Sequence, residues 1–371
     1  MVKCKVCQKE SSLISQYPGV CLDCIREDFD KASPHILEAH RKTRVNFDLP
    51  INPPRAKDGI PCNLCVNECR ILEDERGFCG LRKNVGGKLI GVDSKRGNLS
   101  FYFDSLPTNC VADWTCAGGK GFGYPEFSYT KGAEYGYKNL SVFYCGCSYN
   151  CLFCQNWHYR DRLVNVERRD FVSAEDLANV IDERTSCICY FGGDPSCQLS
   201  HSILTSKIAL KNKKNRILRI CWETNGTMNE RLLDEIIKIS LESGGCIKFD
   251  LKCWTEELNI ALCRITNKRT LENFVRVSTF IEQKPIPPLL IASTLLIPGY
   301  IDEYEIERLS KFIASLNKDI PYSLLAFYPC FYMRDLPTTS RKHAFRCRDI
   351  ALDSGLRNVH IGNLHLLSDA H

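Results

Sequence analysis

Three cysteines, Cys147, Cys151 and Cys154, stand at spacing C-x3-C-x2-C within Tyr144-Cys-Gly-Cys-Ser-Tyr-Asn-Cys-Leu-Phe-Cys-Gln-Asn-Trp157, with Phe153 directly ahead of the last thiol. Three thiolates this close in sequence can hold three irons of a cubane cluster and leave the fourth iron without a protein ligand. An open metal position is where chemistry happens, whereas a fully ligated site is structural or carries electrons. Two further sets lie upstream. Cys4, Cys7, Cys21 and Cys24 (C-x2-C-x13-C-x2-C) read as a zinc ribbon, a closed four-thiolate site. Cys62, Cys65, Cys69 and Cys79 (C-x2-C-x3-C-x9-C) also read as a metal site, for which zinc and an auxiliary [4Fe-4S] cluster are both suitable. Cys187, Cys189, Cys221, Cys246, Cys253 and Cys263 are read as core thiols that pack as small apolar residues, and Cys110 and Cys116 as buried free thiols, with a place in a metal site as their alternative.

The elements that must position these residues follow from the change in pattern near Asn139. From there short β-rich runs alternate with longer amphipathic segments. The expected strands are Leu140–Cys145, Cys187–Phe191, Ile217–Cys221, Cys246–Asp250, Leu290–Ile297 and Tyr322–Phe327. Ser173 is placed to cap a helix opening at Ala174. Strand–helix alternation predicts a parallel sheet covered by helices, here an α/β partial TIM-like (β/α)6 barrel over residues 137–371. Ahead of it the cysteines divide the chain into a ribbon-like module (1–30), a proline-bearing irregular linker (31–60) and a Cys-rich region (61–136). Thirty residues are too few for an unaided hydrophobic core, so the first module is expected to need a metal.

In such a barrel, function sits just past the C-terminal ends of strands. The first expected strand ends at the three-cysteine loop. The second ends in Gly192-Gly-Asp-Pro195, where Asp194 offers an acceptor to an amino group, and the third in Glu223-Thr-Asn-Gly226, suited to hydroxyls. The fourth ends in Asp250-Leu-Lys252, whose alternate side chains share a face. Pro298-Gly-Tyr300 follows the fifth.

With these residues in place the chain resembles radical S-adenosylmethionine (SAM) enzymes of the pyruvate formate-lyase activating enzyme type. Cys62-Asn-Leu-Cys-Val-Asn-Glu-Cys-Arg70 and Gly77-Phe-Cys-Gly-Leu-Arg82 are similar to the leading region of the AmmeMemoRadiSam group. The resemblance implies that Cys147, Cys151 and Cys154 ligate a [4Fe-4S] cluster whose fourth iron binds the SAM amino and carboxylate groups. It also implies that Gly192, Gly193 and Asp194 hold the SAM amino group. Glu223 and Asn225 then lie near the ribose, Asp250 and Lys252 near the ribose and carboxylate, and Phe153 by the adenine. Asp194 stands where relatives usually carry Glu, and Tyr328 where they often carry His. The implied reaction is reductive cleavage of SAM to a 5′-deoxyadenosyl radical that acts on a protein partner, making a glycyl radical or modifying a side chain. A flavodoxin- or ferredoxin-type donor supplies the electron. A corrinoid-dependent radical SAM methyltransferase and a non-catalytic iron–sulfur or zinc electron carrier or scaffold are the alternatives.

Composition narrows the setting. The 371 residues are 44% hydrophobic and 25% charged, with net charge +5 and pI near 8.2, too mild for a nucleic-acid footprint. Lys211-Asn-Lys-Lys-Asn-Arg216, the densest basic run, reads as a solvated loop between helix and strand. No apolar run approaches the roughly 18 residues of a membrane span, and the Met-Val-Lys-Cys start has no signal-peptide core. Twenty-three cysteines, eight of them in four C-x2-C pairs, point to metals rather than disulfides, and hence to a cytoplasmic protein of an anaerobic setting.

Overall fold

The computed structural model describes residues 1–163, 171–213 and 216–369. One eight-stranded sheet organises the chain: β1 (Leu99–Ser105), β2 (Lys138–Tyr144), β3 (Thr185–Gly192), β4 (Arg219–Thr224), β5 (Ile247–Asp250), β6 (Leu290–Leu296), β7 (Tyr322–Ala326) and β8 (Val359–Gly362), in that spatial order. β2 to β8 are parallel; β1 pairs antiparallel with β2. The outer strands β1 and β8 do not pair, so the barrel is incomplete, as expected. Runs such as Leu290-Ile-Ala-Ser-Thr-Leu-Leu296 are buried on both faces, the pattern that parallel strands require.

All six expected strands are present. The third begins two residues later than expected and runs on to Thr224, because Trp222, Glu223 and Thr224 pair with Ile247, Lys248 and Phe249. Two strands were not expected: β8 is four residues long with a polar His360, and most of β1 faces outward. The helix after Ser173 forms with the expected cap, Ser173 Oγ accepting from Asp176 N at 2.9 Å, but it ends at Asn179. Of the basic run, Lys211 and Asn212 close a helix (Leu199–Asn212), Lys213 lies in a turn, and 214 and 215 fall outside the described residues.

The expected linker is a correction. Its first half belongs to a 17-residue helix, α1 (Phe29–Val45), that runs through Pro34. Proline there forfeits only one N–H near the helix start, while Ala32, Ile36, Ala39, His40 and Thr43 recur at helical spacing and are buried. α1 braces the three-cysteine loop. Asn150 Nδ2 donates to His40 Nδ1 (2.9 Å) and Thr43 Oγ1 (2.7 Å), while His40 Nε2 donates to Ala261 O (3.0 Å). At its other end α1 continues the four-cysteine module, which sits on the loop after β6. Tyr300 is buried there, its hydroxyl accepting from Ser15 N and donating to Val20 O, both at 3.1 Å. Arg26 forks onto Asp302 at 2.7 Å through both nitrogens. The Pro-Gly-Tyr300 turn therefore seats the metal module and takes no part in the central cavity.

Burial lowers the His40 pKa to about 3 and that of His201 to about 4. His201 stays neutral by accepting from the Tyr144 hydroxyl (2.7 Å) and donating to Val172 O (3.1 Å). Both pKa values are depressed, so below about 6.5 the unfolded chain binds protons that the folded chain refuses, and stability falls with pH. Each histidine is expected to cost about 2 kcal/mol between pH 7 and 5. Urea midpoints of the metal-free protein should drop over that interval, and less so in His201→Gln; equal midpoints at both pH values would contradict this.

Candidate active site

The site grows from the C-terminal ends of β2 to β6. After β2 the chain enters the three-cysteine loop, which is tied to its surroundings through several polar atoms. Asn150 N and Leu152 N donate to Cys263 O and Leu262 O, both at 2.9 Å, and Asn67 Nδ2 donates to Ser148 O at 2.8 Å. After β3, Gly192 has φ +115°, and a Cβ on it would lie 2.6 Å from Tyr144 O. A Cβ on Gly193 would lie 2.3 Å from Gly146 O. The backbone that these glycines admit is thus the cysteine loop itself, held by Gly193 N to Tyr144 O (2.8 Å) and Asp194 N to Gly146 O (2.9 Å).

Asp194 is buried and accepts from Thr224 Oγ1 (2.7 Å) on one oxygen and Ser148 Oγ (3.2 Å) on the other. Burial raises its pKa despite these donors. Its carboxylate therefore ties the ends of β2, β3 and β4 together as well as lining the cavity. Asn225 Nδ2 donates to Ser148 Oγ at 2.9 Å and reaches Cys147 Sγ at 3.7 Å.

β4 and β5 contribute an alternating row of charges. Lys248 Nζ lies 3.0 Å from Glu223 and 3.2 Å from Asp250; Asp250 in turn holds Lys252 Nζ at 2.8 Å and accepts from Ser293 Oγ at 2.7 Å. Burial opposes the charges of Lys248, Asp250 and Lys252. For Lys248 the neighbouring Asp250 and Glu223 outweigh it and hold the ammonium above its usual range; Lys248 and Lys252 likewise hold Asp250 well below the usual carboxylate range. Lys252 sits 6.0 Å from the centre of the buried Phe153 ring.

The expected site residues come together. Cys147, Cys151, Cys154, Phe153, Gly192, Gly193, Asp194, Glu223, Asn225, Asp250 and Lys252 all line one cavity of about 220 Å³. Sequence reasoning missed two of its walls. Lys248 carried a legible signal, because it stands two residues before Asp250 in the same alternation that placed Lys252. Arg160 carried none. It lies in a 3₁₀ turn (Trp157–Leu163), is 1% exposed and lines the cavity; only its Nη2 has a partner, Asn150 Oδ1 at 3.2 Å. Nε and Nη1 are buried without one. A buried guanidinium with two open N–H groups beside three thiols fits an anionic group, such as a thiolate-bound cluster or a carboxylate. His158 is exposed and stacks on Trp157, and Tyr328 is 54% exposed; neither lines the cavity.

Sulfur spacing separates the thiol sets. The Sγ atoms of Cys4, Cys7, Cys21 and Cys24 lie within 4.8 Å of one another, with Cys4–Cys24 at 3.8 Å and Cys7–Cys21 at 3.7 Å. Metal–sulfur bonds of about 2.3 Å in a tetrahedron require sulfurs about 3.8 Å apart. Among the described residues no other three thiols gather this tightly. The second upstream set is looser: Cys62 faces Cys69 across a two-stranded ladder, Cys65 and Cys79 are near enough to act on both thiols, and these two also pack with Cys147, Cys154 and Cys197.

Comparison with known proteins agrees with this geometry. Residues 141–312 match the model of the Radical SAM superfamily. An uncharacterized protein of Methanocaldococcus jannaschii is 23% identical over 82% of this chain and 81% of its own length. The pyruvate formate-lyase 1-activating enzyme of Escherichia coli K12 is 24% identical over 50% of this chain and 73% of its own. A solved domain of pyruvate-formate lyase-activating enzyme from Bacteroides vulgatus covers 47% of this chain and 98% of its own, at 21% identity and TM-score 0.39. No described helix is long and apolar enough to cross a membrane. Residues 141–312 thus carry a radical SAM domain, and the chain is similar to pyruvate formate-lyase activating enzymes.

Proposed function

We propose that the central cavity binds SAM against a [4Fe-4S] cluster held by Cys147, Cys151 and Cys154, and that the protein acts on a side chain or glycine of a partner protein. The reading rests on one observation: three thiols and eight residues from four successive strand ends line a single cavity. Bound together, the reduced cluster and SAM supply a 5′-deoxyadenosyl radical, and a flavodoxin- or ferredoxin-type protein supplies the electron. The chain's own residues bind and orient. Arg160, with Nε and Nη1 unpartnered in the wall of the cavity, would offer its fixed fork to an anionic group bound there. Lys252, fixed by Asp250, offers a cation to the SAM carboxylate, and Phe153 offers its ring to the adenine. Asp194, held by Thr224 and Ser148, serves the amino group. The tight four-sulfur set at Cys4, Cys7, Cys21 and Cys24 takes one zinc ion, and Cys62, Cys65, Cys69 and Cys79 take zinc or an auxiliary cluster.

Anaerobically reconstituted protein given SAM and dithionite is expected to form 5′-deoxyadenosine, read by chromatography. Arg160→Met should lower that rate 10- to 100-fold, roughly what loss of an outer partner of a metal site costs. If the wild type makes none, the chain returns to the non-catalytic iron–sulfur or zinc reading.

A further inference from the structure

A second cavity of about 240 Å³ adjoins the first, and Val111, Phe191, Glu223 and Lys248 form the wall between them. Six of its twenty lining residues are cysteines, against 23 in the 371 of the chain. Cys187 and Cys189 alternate along β3 and so share a face, and Cys221 on β4 is the direct cross-strand partner of Cys189. Cys246 precedes β5, with its carbonyl taken by Trp222 N at 3.0 Å. Cys110 and Cys116 come from the segment joining β1 to β2, which covers the cavity.

Cys189 and Cys246 are buried as expected, but the expectation that these thiols merely fill the core does not cover the other four. A core cysteine is packed on all sides, and interiors tolerate few voids larger than a water molecule. Cys110, Cys116, Cys187 and Cys221 are instead only partly buried, all four line open space, and none is in a disulfide. At about 30 Å³ per water the cavity is several waters wide. Only Cys253 and Cys263, of the thiols read as core, are buried away from it.

Cys110, Cys116, Cys221 and Cys246 also pack together in one patch with Ala112 and Ile291. No three of these sulfurs lie within 4.8 Å of one another, in contrast to the Cys4 set. A single tetrahedral ion needs that closeness, whereas an iron–sulfur cluster attaches its thiolates to different irons and needs them farther apart. We propose that Cys110, Cys116, Cys221 and Cys246 ligate a second iron–sulfur cluster, separate from the cluster of Cys147, Cys151 and Cys154. The proposal does not depend on SAM binding.

Full-length Cys147→Ala/Cys151→Ala/Cys154→Ala protein, reconstituted anaerobically with iron and sulfide, is compared with the same protein carrying Cys221→Ala and Cys246→Ala as well. The added pair is expected to remove about two to four irons and as many sulfides per chain, together with their reduced-state EPR signal. Unchanged iron would overturn the proposal. A folding defect of the added pair is bypassed by alkylating the unmutated protein with iodoacetamide before and after reconstitution, then mapping the labelled thiols. Cys110, Cys116 and Cys221 should label in the metal-free protein and be at least about tenfold protected once loaded; equal labelling overturns the proposal whatever the iron count.

Discussion

Cys154→Ala protein is expected to lose about four irons per chain and to form 5′-deoxyadenosine only at the level of a protein-free control. Two thiolates do not hold a cubane against loss, and Cys154 has no other thiol in hydrogen-bond contact; its carbonyl, not its sulfur, meets Cys330 at 3.7 Å. Cys151 differs. Its Sγ lies 3.4 Å from that of Cys263, at the end of a barrel helix (Glu256–Cys263). Cys151→Ala should therefore retain part of its iron with Cys263 as substitute ligand, and Cys151→Ala/Cys263→Ala should fall to the level of Cys154→Ala. Iron counts and 5′-deoxyadenosine assays on these three variants and the wild type decide the matter. Equal loss in Cys151→Ala and Cys154→Ala would remove Cys263 from consideration.

Glu134→Ala should destabilise the metal-free protein by about 3–5 kcal/mol, the usual cost of stranding one member of a buried ion pair. Glu134 and Arg219 are 0% and 3% exposed at their side chains. Arg219 Nη1 and Nη2 donate to the two carboxylate oxygens at 2.9 and 2.6 Å, and Ser128, Tyr129 N and Ser186 supply the remaining donors at 2.7–3.0 Å. Removing the carboxylate leaves the buried guanidinium without its counter-charge, holding only Phe127 O and Ser186 Oγ, and leaves Tyr129 N without that acceptor. Glu134→Gln, which keeps the shape, should lose less. The exposed Lys9–Asp23 pair at 2.8 Å is a fair control, and Asp23→Asn should move the urea midpoint by under about 1 kcal/mol in equivalent free energy. Coincident midpoints for Glu134→Ala and the wild type would refute the argument.

The strands could be read because their apolar runs are nearly unbroken, and the cavity because its residues fall at successive strand ends. What stayed hidden depended on which groups face each other. Cys189 and Cys221 become neighbours only through the register of β3 against β4, which no local pattern encodes. Arg160 reaches the site from a short 3₁₀ turn that has no periodicity to project. Pro34 was given too much weight as a helix breaker: the buried spacing of α1 carried the opposing signal, and burial outweighed the single lost hydrogen bond.

α1 has a consequence for how the protein keeps its metals. One end of this helix is continuous with the module closed by Cys4, Cys7, Cys21 and Cys24, and the other grips Asn150 between two cluster cysteines. A metal bound at the first end stabilises the folded module, and with it the helix that fixes the loop 126 residues further along the sequence from Cys24 to Asn150. Occupancy at one site and retention at the other are therefore a shared free energy. The small four-cysteine module would then act as a keystone for the three-cysteine loop: it lines no part of the central cavity, yet a metal bound there would steady the loop through α1.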